Sequence, residues 1–164
     1  MSLIERWDYQ HELMAQLPPA SLRVIYSRSG AFTAAALLQS KDAIVNDVLY
    51  WASVGSKMEA EYLLAVLNSE TVRGRVENLQ SRGQWGARHF HRVMLELPIP
   101  KYNSSIPLHV TLAEASKRAE EVTATVPLRE GEHFVRVRGR VREALRGDGI
   151  AQRMDELVKE LLSH

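Results

Sequence analysis

Cysteine is missing from all 164 residues, which excludes a disulfide framework, thiolate zinc sites, iron–sulfur ligation and a Cys nucleophile. A reducing cytoplasm is the compartment that fits. Long apolar runs are missing too: none reaches the roughly 18 residues needed to span a bilayer, and no basic-then-apolar signal segment opens the chain. No membrane partner is therefore expected. An excess of charge of either sign is also lacking. The 21 basic and 20 acidic side chains leave a formal net charge of +1, so any grip on a polyanion has to come from local clustering. No Gly-x-Gly-x-x-Gly loop and no Gly-Lys-Ser/Thr phosphate loop occurs. Ser, His and Asp are present, but no local pattern nominates a triad. No catalytic residue, metal ligand or cofactor of its own is expected.

What is present supports a folded body. The 45% hydrophobic and 25% charged residues suit one domain, or one domain with a helical appendage. The abrupt Met-Ser-Leu start reads as the beginning of a cloned piece of a longer protein. Ile4, Trp7, His11, Met14 and Leu17 recur at the spacing of one helix face, ended by Pro18-Pro19. Three β-like runs follow: Leu22, Val24 and Tyr26 alternating with polar neighbours, then Ala31 to Leu38, then Ile44 to Trp51. They predict a small sheet. Ser56 and Glu59 form a capping-box pattern before Ala60, Leu63, Leu64 and Leu67, a helix that should pack on the sheet.

Ser69 is placed to cap a second helix with Val72, Val76 and Leu79 inward, and with Arg75, Asn78 and Arg82 together on another face; Gly83 should end it. Val93 to Ile99 reads as a short extended segment closed by Pro98 and Pro100. Helical patterns then run over His109–Val126, from Phe134 through Leu145, and from Ile150 to Leu162. The expected fold is α/β in the α+β sense. A mixed body over residues 1–103 carries a small sheet packed with helices, and a helical tail over 104–164 packs on the body or a partner.

The chemistry concentrates between Thr71 and Lys101, where Arg73, Arg75, Arg82, Arg88, Arg92 and Lys101 face only Glu77 and Glu96. Arginine forks match phosphate oxygens and guanine, and Asn or Gln matches adenine. Arg75, Asn78, Arg82, Gln84 and Arg88 therefore suit DNA. Trp85, between two glycines, offers a flat ring for stacking or wedging. The competing reading is a solvated helix face followed by a turn whose Trp packs inward. His89 and His91 would point the same way on a strand, as in a metal site, but no third ligand lies close in sequence; a surface position or contact with phosphate is the better fit. Arg136, Arg138, Arg140, Arg142 and Arg146 form a second basic block that spreads around a helix, as a solvated face does.

Four pieces carry a resemblance: SRSGAFTAAALLQ (Ser27 to Gln39), VLYWASVGSKMEAEYLLAVLNS (Val48 to Ser69), GQWGARHFHRVMLELPIPKYN (Gly83 to Asn103) and HVTLAEASKRAEEV (His109 to Val122). In that order they resemble the C-terminal target-recognition part of large prokaryotic DNA methyltransferases of the adenine type, found in restriction-modification and phage-defence systems. The order is also similar to that in specificity subunits of type I restriction enzymes. The resemblance covers roughly residues 22 to 122 and implies an α/β recognition domain with a following helix that packs on a catalytic part or partner subunit. It implies DNA contact by the turn Gly83 to Arg92, including His89, His91 and Arg92, and secondarily by Ser27 and Arg28. His89-Phe90 stands where many relatives carry an acid. The methyltransferase motifs are missing: Pro18-Pro19 is followed by Ala20, not by an aromatic residue. S-adenosylmethionine is thus expected only in a separate catalytic domain. The expected partners are duplex DNA and that methyltransferase domain or subunit. Two alternatives stand beside this reading: a docking or self-association module built on helices 134–162, and a metal-dependent nuclease using His89 and His91.

Overall fold

The computed structural model describes residues 8, 11, 13–28, 34–46, 48–79, 82–83, 86–87 and 97–163, with only the backbone described at 78, 79, 82, 83, 86 and 87. Three strands, β1 (Arg23–Ser27), β2 (Ala35–Leu38) and β3 (Leu49–Ser53), form an antiparallel sheet in the order β2-β1-β3. Two helices follow, α1 (Lys57–Leu67) and α2 (Glu70–Leu79), then a short ladder of β4 (Arg82–Gly83) with β5 (Gly86–Ala87). Three further helices complete the chain: α3 (Pro107–Ala124), α4 (Phe134–Asp148) and α5 (Ile150–Leu161). The expected small sheet packed with helices, followed by C-terminal helices, is the observed architecture. None of the described helices is long and apolar enough to cross a membrane.

Helix α1 sits at the centre. Its start is fixed by two reciprocal hydrogen bonds: Ser56 Oγ accepts the Glu59 amide at 3.1 Å, and Glu59 Oε2 accepts the Gly55 amide at 2.7 Å. These satisfy donors that a helix start otherwise leaves unpaired. Ala60, Tyr62, Ala65 and Val66 are fully buried, with α3 on one side and the sheet on the other. On the sheet, Val24 and its cross-strand partner Leu37 face this core, as do Tyr26 and Ala35. Leu112 and Ala113 of α3 and Met154, Leu157, Val158 and Leu161 of α5 join the same cluster. Residues on both sides of Pro107 therefore share one core.

The other sheet face carries the first departure from the sequence pattern. Arg23 falls where the alternation suggests an outward polar residue, yet it is fully buried. Its Nη2 donates to the carbonyls of Ser40 at 3.1 Å and Ala43 at 2.5 Å, so the guanidinium organises the loop after β2. Gln16 secures the same loop through paired bonds with Val45, its Nε2 donating to the carbonyl and its Oε1 accepting the amide, both at 2.8 Å.

Where the N-terminal expectation falls on described residues, it is corrected. Among the described residues there, Met14–Gln16 forms a 3-10 turn and no α-helix is present. His11 has φ of 60°, outside the right-handed helical region. Asp8 Oδ1 accepts the amides of Leu13 at 3.0 Å and Met14 at 3.1 Å, capturing donors that a continuous helix would use internally. The second helix is corrected at its end: α2 stops at Leu79, and Gly83 pairs with Gly86 instead of terminating it. Its start is as expected, with Ser69 Oγ accepting the Val72 amide at 3.1 Å.

Side chains distant in sequence close the fold. Asp155 of α5 accepts from the Thr71 amide at 3.0 Å and the Thr71 hydroxyl at 3.2 Å, placing a carboxylate at the N-terminus of α2. Tyr62 donates its hydroxyl to the Pro100 carbonyl at 2.8 Å, and burial pushes its pKa up to about 12. This bond ties the Pro98-Ile99-Pro100 stretch to α1, while Leu97, Ile99 and Tyr102 lean on the core. Next to it, the buried His109 lies tilted against Tyr62 (4.7 Å between centroids) and accepts the Asn103 amide on Nδ1 at 3.0 Å. An accepting Nδ1 requires a ring without a proton there, and burial correspondingly lowers the His109 pKa.

Two outcomes follow. Asp155→Ala should lower stability by about 1–2 kcal/mol in urea unfolding, since it removes the carboxylate that accepts the Thr71 amide and hydroxyl in the first turn of α2. His109 titrates below its ordinary value of 6.5 in the folded chain. Its contribution is therefore complete above that pH and declines as pH falls through it toward the folded value. Urea midpoints between pH 7 and 5 should fall less steeply for His109→Gln than for the parent; equal slopes would contradict the assignment.

Candidate nucleic-acid interface

The arginines of α2 divide into two kinds. Arg73 is neutralised along its own helix, its Nη1 lying 2.6 Å from Glu70 Oε2 and its Nη2 4.0 Å from Glu77 Oε2. Arg75 is exposed, and its guanidinium reaches a carbonyl: Nη2 donates to Leu162 O at 3.3 Å, at the end of α5. A guanidinium against the last carbonyls of a helix is favourably placed with respect to the helix dipole, and it keeps further donors for an anion. Gly74, beside it, has open space where a Cβ would stand.

Beyond α2 the backbone turns into the β4–β5 ladder, with Arg82 opposite Ala87 and Gly83 opposite Gly86. Arg82 is consequently a strand residue and does not continue the α2 face with Arg75 and Asn78, which corrects the expected grouping. Asn78 lies in the last turns of α2, and the side chains of Asn78 and Arg82 are outside the description. Gln84, Trp85, Arg88, His89, His91 and Arg92 lie outside the described residues, as does the extended segment expected from Val93, up to residue 96.

The secondary pair sits at the end of β1. Ser27 is half-buried, with its hydroxyl enclosed and lacking a hydrogen-bond partner among the described residues. Arg28 lays its guanidinium 5.6 Å from the centroid of Tyr50, whose ring stacks on Tyr26 at 5.3 Å. Burial, with the neighbouring Tyr50, raises the Tyr26 pKa. The stack gives Arg28 an aromatic seat and orients it at the sheet end.

The second basic block turns out to be partly internal bookkeeping of charge. Arg140 grips Glu132 through both oxygens and donates to the Pro127 carbonyl at 2.6 Å, stapling the loop before α4 to that helix. The pairing with Arg140 lowers the Glu132 pKa. Arg138 stands over the Phe134 ring at 5.1 Å. One buried acid lies elsewhere: Glu61 on α1, whose pKa burial raises, faces Ser116 and Glu120 of α3. The sequence reading did not single it out, because the packing of α3 on α1 that buries it carries no local sequence signature.

No group of three or more His, Asp or Glu able to hold a metal occurs among the described residues. Comparison with known protein families, curated proteins and solved structures gives no match.

Proposed function

We propose that this chain is a non-catalytic DNA target-recognition domain that binds duplex DNA on behalf of a separate adenine-type methyltransferase domain or subunit, in a cytoplasmic restriction-modification or phage-defence system. The observation that carries the reading is the placement of Arg75. It is an exposed cation on a helix whose neighbouring Arg73 is already paired, and the chain leads from it directly into the arginine-bearing β4–β5 ladder. The ordered set of resembling segments supports the same surface. Phosphate contacts from Arg75, Arg82, Arg88 and Arg92 would set position, and Gln84 and Trp85 would read bases or groove shape. His89 and His91 add donors for phosphate when protonated. Arg28, seated on Tyr50, would supply a secondary contact. S-adenosylmethionine would belong to the separate catalytic domain.

The test is binding of random duplex DNA at two salt concentrations, with Arg82→Ala/Arg88→Ala beside the parent. Removing two phosphate contacts should weaken binding and reduce the slope of log K against log salt by about 2. Unchanged affinity and slope would sink the assignment.

A further inference from the structure

Among the described residues no strand pairs with β2 on the side away from β1, and β2 borders a groove. Ser27 donates its amide to the Ala34 carbonyl at 3.0 Å, while the Arg28 and Val54 amides bond across to β3 and to Leu22, fixing which residues of β1 pair with each neighbour. With the register Val24↔Leu37, the even-numbered residues of β2 bond to β1. Ala35 and Leu37 therefore turn their backbone groups outward. The Asn68 side chain occupies both groups of Ala35: Oδ1 accepts the amide at 2.9 Å and Nδ2 donates to the carbonyl at 3.0 Å. Asn68 thus imitates one residue of a neighbouring strand. The next outward pair, the Leu37 amide and carbonyl, has no partner among the described residues.

Leu37 also lines a groove of about 660 Å³ bounded by β2, α3 and α4. Its apolar lining includes Leu37, Leu64, Val137, Val141 and Leu145. Helix α4 buries none of its residues, so its inward stripe is spent on the groove wall. Charge at the groove is one-sided. Arg73 is paired with Glu70, and the exposed Arg138 and Arg146, two turns apart on α4, stand against one remaining acid, Glu120.

We propose that this groove takes an extended, acidic segment of a partner protein, which adds as a strand to β2 at Leu37. Its alternate apolar side chains enter the groove, and its carboxylates meet the α4 arginines. An unused ladder position, an apolar wall beside it and an excess of cations are together what strand addition by such a segment requires. β2 has four residues and Asn68 already occupies Ala35, so the added strand is short and pairs at Leu37. The surface is separate from the DNA reading and stands or falls without it.

The experiment uses the full chain and an array of labelled heptapeptides in which Val, Leu or Ala alternates with Glu or Asp, each beside a counterpart carrying Lys. The best acidic peptide should bind at least about tenfold more tightly than its Lys counterpart. It is then remade with N-methyl groups on one edge or on the other. One edge should abolish binding and the other should leave it nearly intact, because only one edge pairs with β2. Arg138→Ala/Arg146→Ala, at two exposed positions, should weaken the acidic peptide severalfold. No preference for acidic peptides overturns the proposal. So does equal binding of both N-methylated forms, or binding of dodecanoate with no peptide binding, which would make the groove a site for amphipathic carboxylates.

Discussion

The burial of α1 between the sheet and α3 is the constraint on which everything else rests. Ala60, Tyr62, Ala65 and Val66 have no solvent exposure, and three of the four are small or β-branched. Small residues let α3 and the strands approach closely, and a close approach leaves little space for a methyl more or less. Through Leu112 and Ala113 the contact extends to α3, and through Val158 and Leu161 to α5. Tyr62 then fastens the Pro98-Ile99-Pro100 stretch, while Asp155 fastens the start of α2. The two surfaces of interest, the α2 end and the β2 edge, are both held by this one packed unit.

Charge is arranged around that unit with little waste. Arg23 is consumed inside, Arg140 and Glu132 close a loop, Arg118 reaches Asp148 at 2.6 Å, and Arg73 answers Glu70. A net charge of +1 therefore hides an uneven distribution. Exposed ion pairs of this kind add little stability each, so their larger effect is to settle which cations are already engaged. What remains outward includes Arg75 on α2 and Arg136, Arg138 and Arg146 on α4. Among those are the positions from which the two proposed partners, a duplex and an acidic peptide, would be addressed.

Much of the fold was legible in the chain because local and global signals agreed. The Ser56 and Glu59 pair, the Ser69 cap and the periodic stripes of α3 and α5 each pointed to one element, and each formed. Failures came where a distant or competing hydrogen bond decided. Asp8 captured two amides and broke the helical pattern around His11, an event no periodicity reveals. Gly83 resembled a helix stop, but a cross-strand partner three residues on claimed its backbone. Arg23 looked like a solvated strand residue because its partners, the Ser40 and Ala43 carbonyls, carry no sequence signature. The edge of β2 was equally hidden, since strand order cannot be read from three short runs.

For the candidate interface, residue type gave the chemistry and the fold gave the sorting. The sequence singled out Arg75 within a basic cluster that includes Arg73, and the helix geometry shows Arg73 paired with Glu70 while Arg75 stands exposed. The most direct measurement is a nuclear magnetic resonance titration of the isotope-labelled chain with random duplex DNA, read amide by amide. The account predicts shifts concentrated between Val72 and Arg92, with smaller ones at Ser27 and Arg28 and quiet resonances from Val137 to Arg146. Shifts centred on α4, or none in the region of Arg75 and the β4–β5 ladder, would contradict it.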